Sequence, residues 1–259
     1  MVDNVCYQKE LDLLKKVVQP IYEETKKNDF ESEFKGEQDI VTTTDIFIEK
    51  RLIKAIKGEF PHDYFHTEEF NHHTKLKNRT WLIDPIDGTS NYAAHLDLFV
   101  VQIALYDQAD IVLSYIYVPK FDKKYYAIKG HGAFLNQKVY RINDHNQSTS
   151  FMMSLVGLTQ NKNQQYYFKQ LMTLAIDHKY KIRMLGSIGI ELAFASEGIY
   201  DLLYTNVTNY WDLFPGILLL REAGAILLNE EGKTYRIDDK HLFIFKNDSS
   251  KKRFIDILH

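Results

Sequence analysis

Asp84 and Asp87 stand three residues apart in the stretch Trp-Leu-Ile-Asp-Pro-Ile-Asp-Gly-Thr-Ser-Asn-Tyr, residues 81–92. An apolar run leads into them, and an unpaired charge at the end of a buried strand is expensive. Pro85 fixes φ and stiffens the turn. Gly88 lets the backbone approach a ligand closely. A helix starting near Thr89 would aim its free amides at an anion such as phosphate. Two carboxylates beside an anion would repel it, and a divalent cation between them removes the conflict. Asp-Gly is also a common turn dipeptide, so this stretch alone fits a capped turn as well as a metal site.

Two further acidic positions shift the balance. Glu68 and Glu69 lie in Thr-Glu-Glu-Phe, and Asp212 follows Trp211 at the mouth of a predicted helix. Asp at a helix start is also an ordinary N-cap. Hard carboxylate oxygens, with one cysteine in the chain, suit Mg²⁺ rather than Zn²⁺. His62, His66, His72 and His73 cluster in a polar stretch and read as solvated loop residues rather than ligands.

The elements that must position these groups are legible in outline. Residues 8–27 carry Leu11, Leu14, Val17, Val18 and Ile21 at helical spacing. A short strand or turn near residue 40 leads into a second helix with Thr44 as N-cap and Ile48, Leu52 and Ile56 on one face. Residues 62–78 read as polar loop, residues 80–84 as a buried strand ending at Asp84. Residues 99–107 and 110–119 are β-rich and suited to pair, and two short strands flank Gly130 and Gly132. The second half alternates: helix 164–177, strand 181–186, helix 187–198 capped by Ser187 and stopped by Gly198, strand 199–205, helix 211–224, strand 225–229. That alternation predicts a three-layer α/β half.

Bulk properties exclude several classes. The 259 residues are ample for a sizeable core; 45% are hydrophobic and 26% charged, as in an ordinary globular protein. The net charge of -3 advertises neither nucleic acid nor an anionic membrane. The longest apolar runs are too short to span a bilayer. The single Cys6 suits a reducing compartment, and the first residues lack the apolar core of a signal peptide, so a cytoplasmic location is expected.

Six segments taken in order carry a resemblance. Residues 81–92 and Trp-Asp-Leu-Phe-Pro-Gly with Arg-Glu-Ala-Gly-Ala (residues 211–225) resemble the two signatures of the inositol monophosphatase family of metal-dependent phosphatases. Residues 39–45, 68–69, 130–136 and 186–198 fall in that family's order and spacing. The resemblance implies a layered α-β-α-β-α sandwich, with an antiparallel sheet in residues 1–145 and a mixed or parallel sheet in residues 146–259. It implies that Glu68, Asp84 and the Ile86 carbonyl hold one Mg²⁺, and Asp84, Asp87 and Asp212 a second. The Gly88 and Thr89 amides would receive phosphate, and Glu68 and Thr89 would orient the attacking water, with Asp45 as the partner of Thr89. Gly186, Ser187, Thr205, Asp87 and Asp212 would face the substrate. Lys35 matches a further family position.

Four carboxylates balance two Mg²⁺, so a substrate dianion calls for amide dipoles or a third, weaker Mg²⁺ near Asp45. The implied activity is hydrolysis of inositol monophosphate or a related small sugar or polyol phosphate, by a homodimer that needs neither nucleic acid nor membrane. The alternatives are a fructose-1,6-bisphosphatase or NADP phosphatase of the same family, or a non-catalytic metal-binding relative. Thr205, seven residues before Asp212, stands where inositol-type members carry a glutamate, and Glu191 where an aspartate is common. Leu213, Phe214 and Pro215 replace small residues, with Pro215 read as lying in the first helical turn.

Overall fold

The computed structural model describes residues 6–26, 32–34, 40–71, 75–142, 151–157 and 165–255. In chain order the elements begin with α1 (Gln8–Thr25), β1 (Ser32–Phe34), β2 (Ile40–Thr42), α2 (Thr43–Glu59), β3 (Tyr64–Thr67) and β4 (Thr80–Asp87). There follow α3 (Thr89–Ala93), β5 (Val100–Asp107), β6 (Asp110–Val118), β7 (Lys123–Ile128), β8 (Ala133–Leu135) and β9 (Lys138–Tyr140). The second part has β10 (Met152–Val156), α4 (Tyr166–Asp177), β11 (Lys181–Arg183), α5 (Ile188–Ser196), β12 (Leu202–Thr205) and α6 (Tyr210–Ala223). It closes with β13 (Ile226–Leu228), β14 (Leu242–Phe245) and α7 (Asp248–Phe254).

A seven-stranded sheet runs β3-β4-β5-β6-β7-β8-β9, antiparallel throughout except for the parallel pair β3–β4. A five-stranded sheet runs β11-β10-β12-β14-β13, with β11, β10 and β12 parallel and β14 antiparallel to both its neighbours, β12 and β13. The period-2 alternation of strand side chains assigns the layers. Trp81, Ile83, Val101, Ile103 and Leu105 face α1 and α2, where Leu14, Ile48 and Leu52 are fully enclosed. Each such side chain contributes roughly 1.5–3 kcal/mol of burial. The other face, Leu82, Val100 and Ala104, meets α5 and α6, whose far sides meet Leu203, Leu227 and Ile244 of the second sheet. Phe168 and Leu171 of α4 and Phe254 of α7 close the outer face of that sheet. The layers are therefore α1α2, sheet, α5α6, sheet, α4α7, the expected five-layer sandwich.

Local readings differ in five places. The stretch read as loop contains β3, because Tyr64–Thr67 pairs in parallel with residues 80–83. The strand carrying Asp84 continues to Asp87 with its register broken between the two aspartates. Three strands, not two, follow residue 122, since residues 138–140 add to the edge. Pro215 lies beyond the first turn of α6, because the helix begins at Tyr210; its ring removes one amide donor there. α2 opens at Thr43 rather than at a Thr44 cap. Lys35, His72 and His73 lie outside the described residues.

Candidate active site

Alternation along β4 decides where the acids point. Leu82 faces the α5α6 layer, so Asp84 does too, and the residue opposite it on β5 is Gln102. Gln102 is fully buried, and its Nε2 donates to Asp84 Oδ2 at 3.2 Å. Asp84 Oδ1 is buried with no hydrogen-bond partner among the described residues. The broken register then turns the chain so that Asp87 leaves the strand toward α5. Its carboxylate caps that helix: Oδ2 accepts the Ser187 hydroxyl and the Gly189 amide at 2.6 Å, and Oδ1 accepts the Ile188 amide at 3.2 Å. Ser187 also caps α5 from within, its hydroxyl accepting from the Ile190 amide. The sequence predicted that cap but not the part taken by Asp87.

Gly88 takes the left-handed conformation at φ 98° and opens the short helix α3. A Cβ there would come within 3.0 Å of both the Leu98 carbonyl oxygen and Ser187 Cβ. The turn is closed by space as well as by φ, so only glycine fits. Thr89 donates its hydroxyl proton to the Ile86 carbonyl at 3.0 Å. This differs from the expected pairing with Asp45: the short turn brings the Ile86 oxygen within reach first. Asn91 holds α3 against the α5 approach through Leu98 O and Leu185 O, both at 2.7 Å. Gly186 packs against that carboxamide.

Glu68 follows β3 directly, and its amide donates to Ile83 O at 3.2 Å, one residue before Asp84. Asp212 sits in the first turn of α6, where Asn209 Nδ2 holds its Oδ2 at 3.0 Å. His66 of β3 packs against Trp211 with the rings tilted by 37° and their centroids 5.1 Å apart, tying the two acidic segments together. Asp45 is fully buried in the first turn of α2. Thr205, at the end of β12, is fully buried, and its hydroxyl accepts the Val207 amide at 3.1 Å.

The electrostatics bind four of these acids into one group. Burial pushes the Glu68 carboxyl up to about 9, and Asp212, Glu69 and Asp45 add repulsion. Asp84 is raised well above the ordinary range, by burial and then by Glu68, Asp87 and Asp212. Asp212 is pushed up to about 7 by burial and Asp87. Asp87 is raised to about 6 by burial, against the pull of its helix bonds. Buried carboxyls that repel one another hold protons or call for a countercharge.

Among the described residues, no three such side chains already enclose a point that could hold a metal ion, and Asp87 is turned toward α5. The donor chemistry nevertheless fits a hard cation. The set is all oxygen, Asp84 and Asp87 are buried and Glu68 and Asp212 half-buried, and Asp84 Oδ1 has no hydrogen bond of its own.

Three residues here escaped the reading of the sequence. Gln102 lies in an apolar strand with nothing to mark it. Asn209 precedes a Trp-Asp pair and reads as loop. Glu49 falls between Ile48 and Leu52 on the apolar face of α2, and an acid on a buried face was the available signal.

A model of the inositol monophosphatase family matches residues 4–258. An inositol monophosphatase of Dictyostelium discoideum is 30% identical over 230 residues, covering 87% of this chain and 85% of its own. A fructose-1,6-bisphosphatase/inositol-1-monophosphatase of Aquifex aeolicus is 29% identical over 197 residues, 75% and 74% of the two chains. In fold, an IMPase/NADP phosphatase complexed with Mg²⁺ and phosphate superposes with a TM-score of 0.78 at 21% identity, covering 95% of this chain and 94% of its own.

Proposed function

Because this chain belongs to the inositol monophosphatase family, we propose that it is a Mg²⁺-dependent phosphomonoesterase acting on inositol monophosphate or a related small sugar or polyol phosphate. The observation that carries the proposal is the group of four repelling carboxyls, Asp84 and Asp87 buried and Glu68 and Asp212 half-buried, with Asp84 at its centre and its Oδ1 without a hydrogen bond. Glu68, Asp84 and the Ile86 carbonyl would hold one cation, and Asp84, Asp87 and Asp212 a second, with Asp45 near a weaker third. Bound Mg²⁺ supplies charge stabilisation to a transferring phosphoryl group and lowers the pKa of water.

The chain's own residues do the rest. The Gly88 and Thr89 amides donate to the phosphate oxygens, at a turn too tight for a side chain at position 88. Glu68 and the Thr89 hydroxyl orient the attacking water. Asp87, held by α5, keeps the substrate-facing segment Gly186–Ser187 in step with the metal ligands. Asp212 borders the alcohol side, while Thr205 is fully buried and acts there only through the charge it lacks. Water attacks phosphorus directly, so no phosphoenzyme is needed. By the same reading the enzyme is a cytoplasmic homodimer.

One observation favours a broader substrate range, including fructose 1,6-bisphosphate or the 2′-phosphate of NADP. Thr205 is uncharged and does not repel a second phosphate. Phosphate release measured with Mg²⁺ over a panel of phosphorylated metabolites tests both readings. Release from none of them would favour a non-catalytic metal-binding relative.

A further inference from the structure

Glu49 has a carboxylate that touches none of the groups assigned to chemistry, yet it is fully buried on α2, one helical turn after Asp45. Burying a carboxylate is costly unless its oxygens are fully engaged. They are. Oε1 accepts the Thr67 hydroxyl and the Phe70 amide at 3.1 Å, and Oε2 accepts the Glu69 amide at 2.9 Å. Thr67 and Glu69 are the residues on either side of Glu68. The Glu68 amide is itself tied to Ile83 O on β4, one residue before Asp84. The backbone of Glu68 is thus clamped from α2 on both flanks and from β4 through its own nitrogen.

We propose that Glu49 is a positioning residue: it holds the Thr67–Phe70 turn so that the Glu68 carboxylate meets the cation shared with Asp84. The proposal rests on Glu68 being a metal ligand. A turn that needed only closure could be satisfied by water or a neutral side chain. Three donors converging on one carboxylate fix it far more narrowly, because charge-assisted bonds are shorter and stronger. Groups that orient metal ligands typically change metal affinity about tenfold to a hundredfold when removed.

Glu49→Gln is nearly isosteric but sets an NH₂ against at least one of the three donors, whichever way the amide turns. Mg²⁺ binding is read by calorimetry on the full chain, and the Mg²⁺ concentration for half-maximal phosphate release is read in parallel. Glu49→Gln is expected to weaken Mg²⁺ binding by about tenfold or more and to raise the half-maximal concentration by the same factor. Activity at saturating Mg²⁺ is expected to recover. Thr67→Val, which removes one of the three bonds to Glu49 and also the 3.3 Å bond from Asn71 to the Thr67 hydroxyl, should shift both in the same direction by less, and it serves if Glu49→Gln fails to fold.

A Glu49→Gln protein that melts earlier yet binds Mg²⁺ as the wild type does would overturn the proposal, leaving Glu49 a purely structural residue. Glu68→Gln separates this from the underlying reading. If Glu68→Gln binds Mg²⁺ normally, the metal assignment fails and the role of Glu49 fails with it. If Glu68→Gln loses Mg²⁺ while Glu49→Gln keeps it, only the role of Glu49 is refuted.

Discussion

Gly189→Ala tests whether α5 packs on β4 and β5 as closely as the proposed site requires. The backbone of Gly189 lies outside the left-handed region, so the substitution tests space alone. A Cβ there would lie 2.5 Å from Val100 Cγ2, 2.9 Å from Gln102 Oε1 and 3.0 Å from Asp87 Oδ2. All three neighbours are buried, and two of them hold or form the carboxyl group. Overpacking of this kind costs about 1–3 kcal/mol, and three simultaneous contacts put it at the upper end. The helix propensity gained from Gly to Ala returns about 1 kcal/mol. The net loss is then about 2 kcal/mol, or about 4–8 °C in melting temperature for a chain of this size.

Function should suffer further. The Gly189 amide is the 2.6 Å donor to Asp87, so relieving the clash moves that carboxylate. Displacing a positioned group by about 1 Å can cost on the order of a hundredfold in rate. Calorimetric melting and kcat/KM for a phosphomonoester, measured side by side, decide it. A variant as stable as the wild type, or more so, with unchanged kcat/KM would refute the close packing of α5 on Asp87 and Gln102.

Asp84→Asn keeps shape but removes the central charge, and activity should fall by well over tenfold, more than about 1.4 kcal/mol of barrier, with the melting temperature largely kept. A variant retaining a tenth of the rate contradicts the bridging role. Without Mg²⁺, the acids whose folded pKa is raised contribute stability that is fully present below the unfolded value of about 4. That stability is lost as pH rises through about 6 to about 9. The Mg²⁺-induced gain in melting temperature should therefore be larger at pH 8.5 than at pH 6, and a pH-independent gain argues against proton–cation exchange in this group. Thr205→Glu should shift kcat/KM toward inositol 1-phosphate and away from bisphosphates; unchanged ratios with a lower melting temperature mean that Thr205 only packs, consistent with its full burial.

The sequence made the layers legible because periodicity is local: Leu11, Leu14 and Ile21 mark α1, and Ser187 marks the start of α5. It made the acidic set legible because Asp84 and Asp87 sit where a buried strand has no ordinary use for charge. What it hid depends on contacts between distant segments. The bonds from Asp87 to Ser187 and Gly189 span about a hundred residues. Gln102 meets Asp84 only through strand register. The hydroxyl of Thr89 chooses the Ile86 carbonyl because of a turn geometry that residue types alone do not specify. β3 was missed because its four residues are too few for alternation to show, and its parallel pairing with β4 is what makes it a strand.

Under the proposed function, the carboxyl group built around Asp84 works by holding divalent cations. The most direct measurement is phosphate release from inositol 1-phosphate and fructose 1,6-bisphosphate by the purified chain, first with excess EDTA and then with Mg²⁺ restored. Activity should vanish under chelation and return with Mg²⁺, and Ca²⁺ should inhibit it, because its longer bonds and larger ligand number fill the site without compact octahedral geometry. Equal rates with and without EDTA would contradict the account at its root.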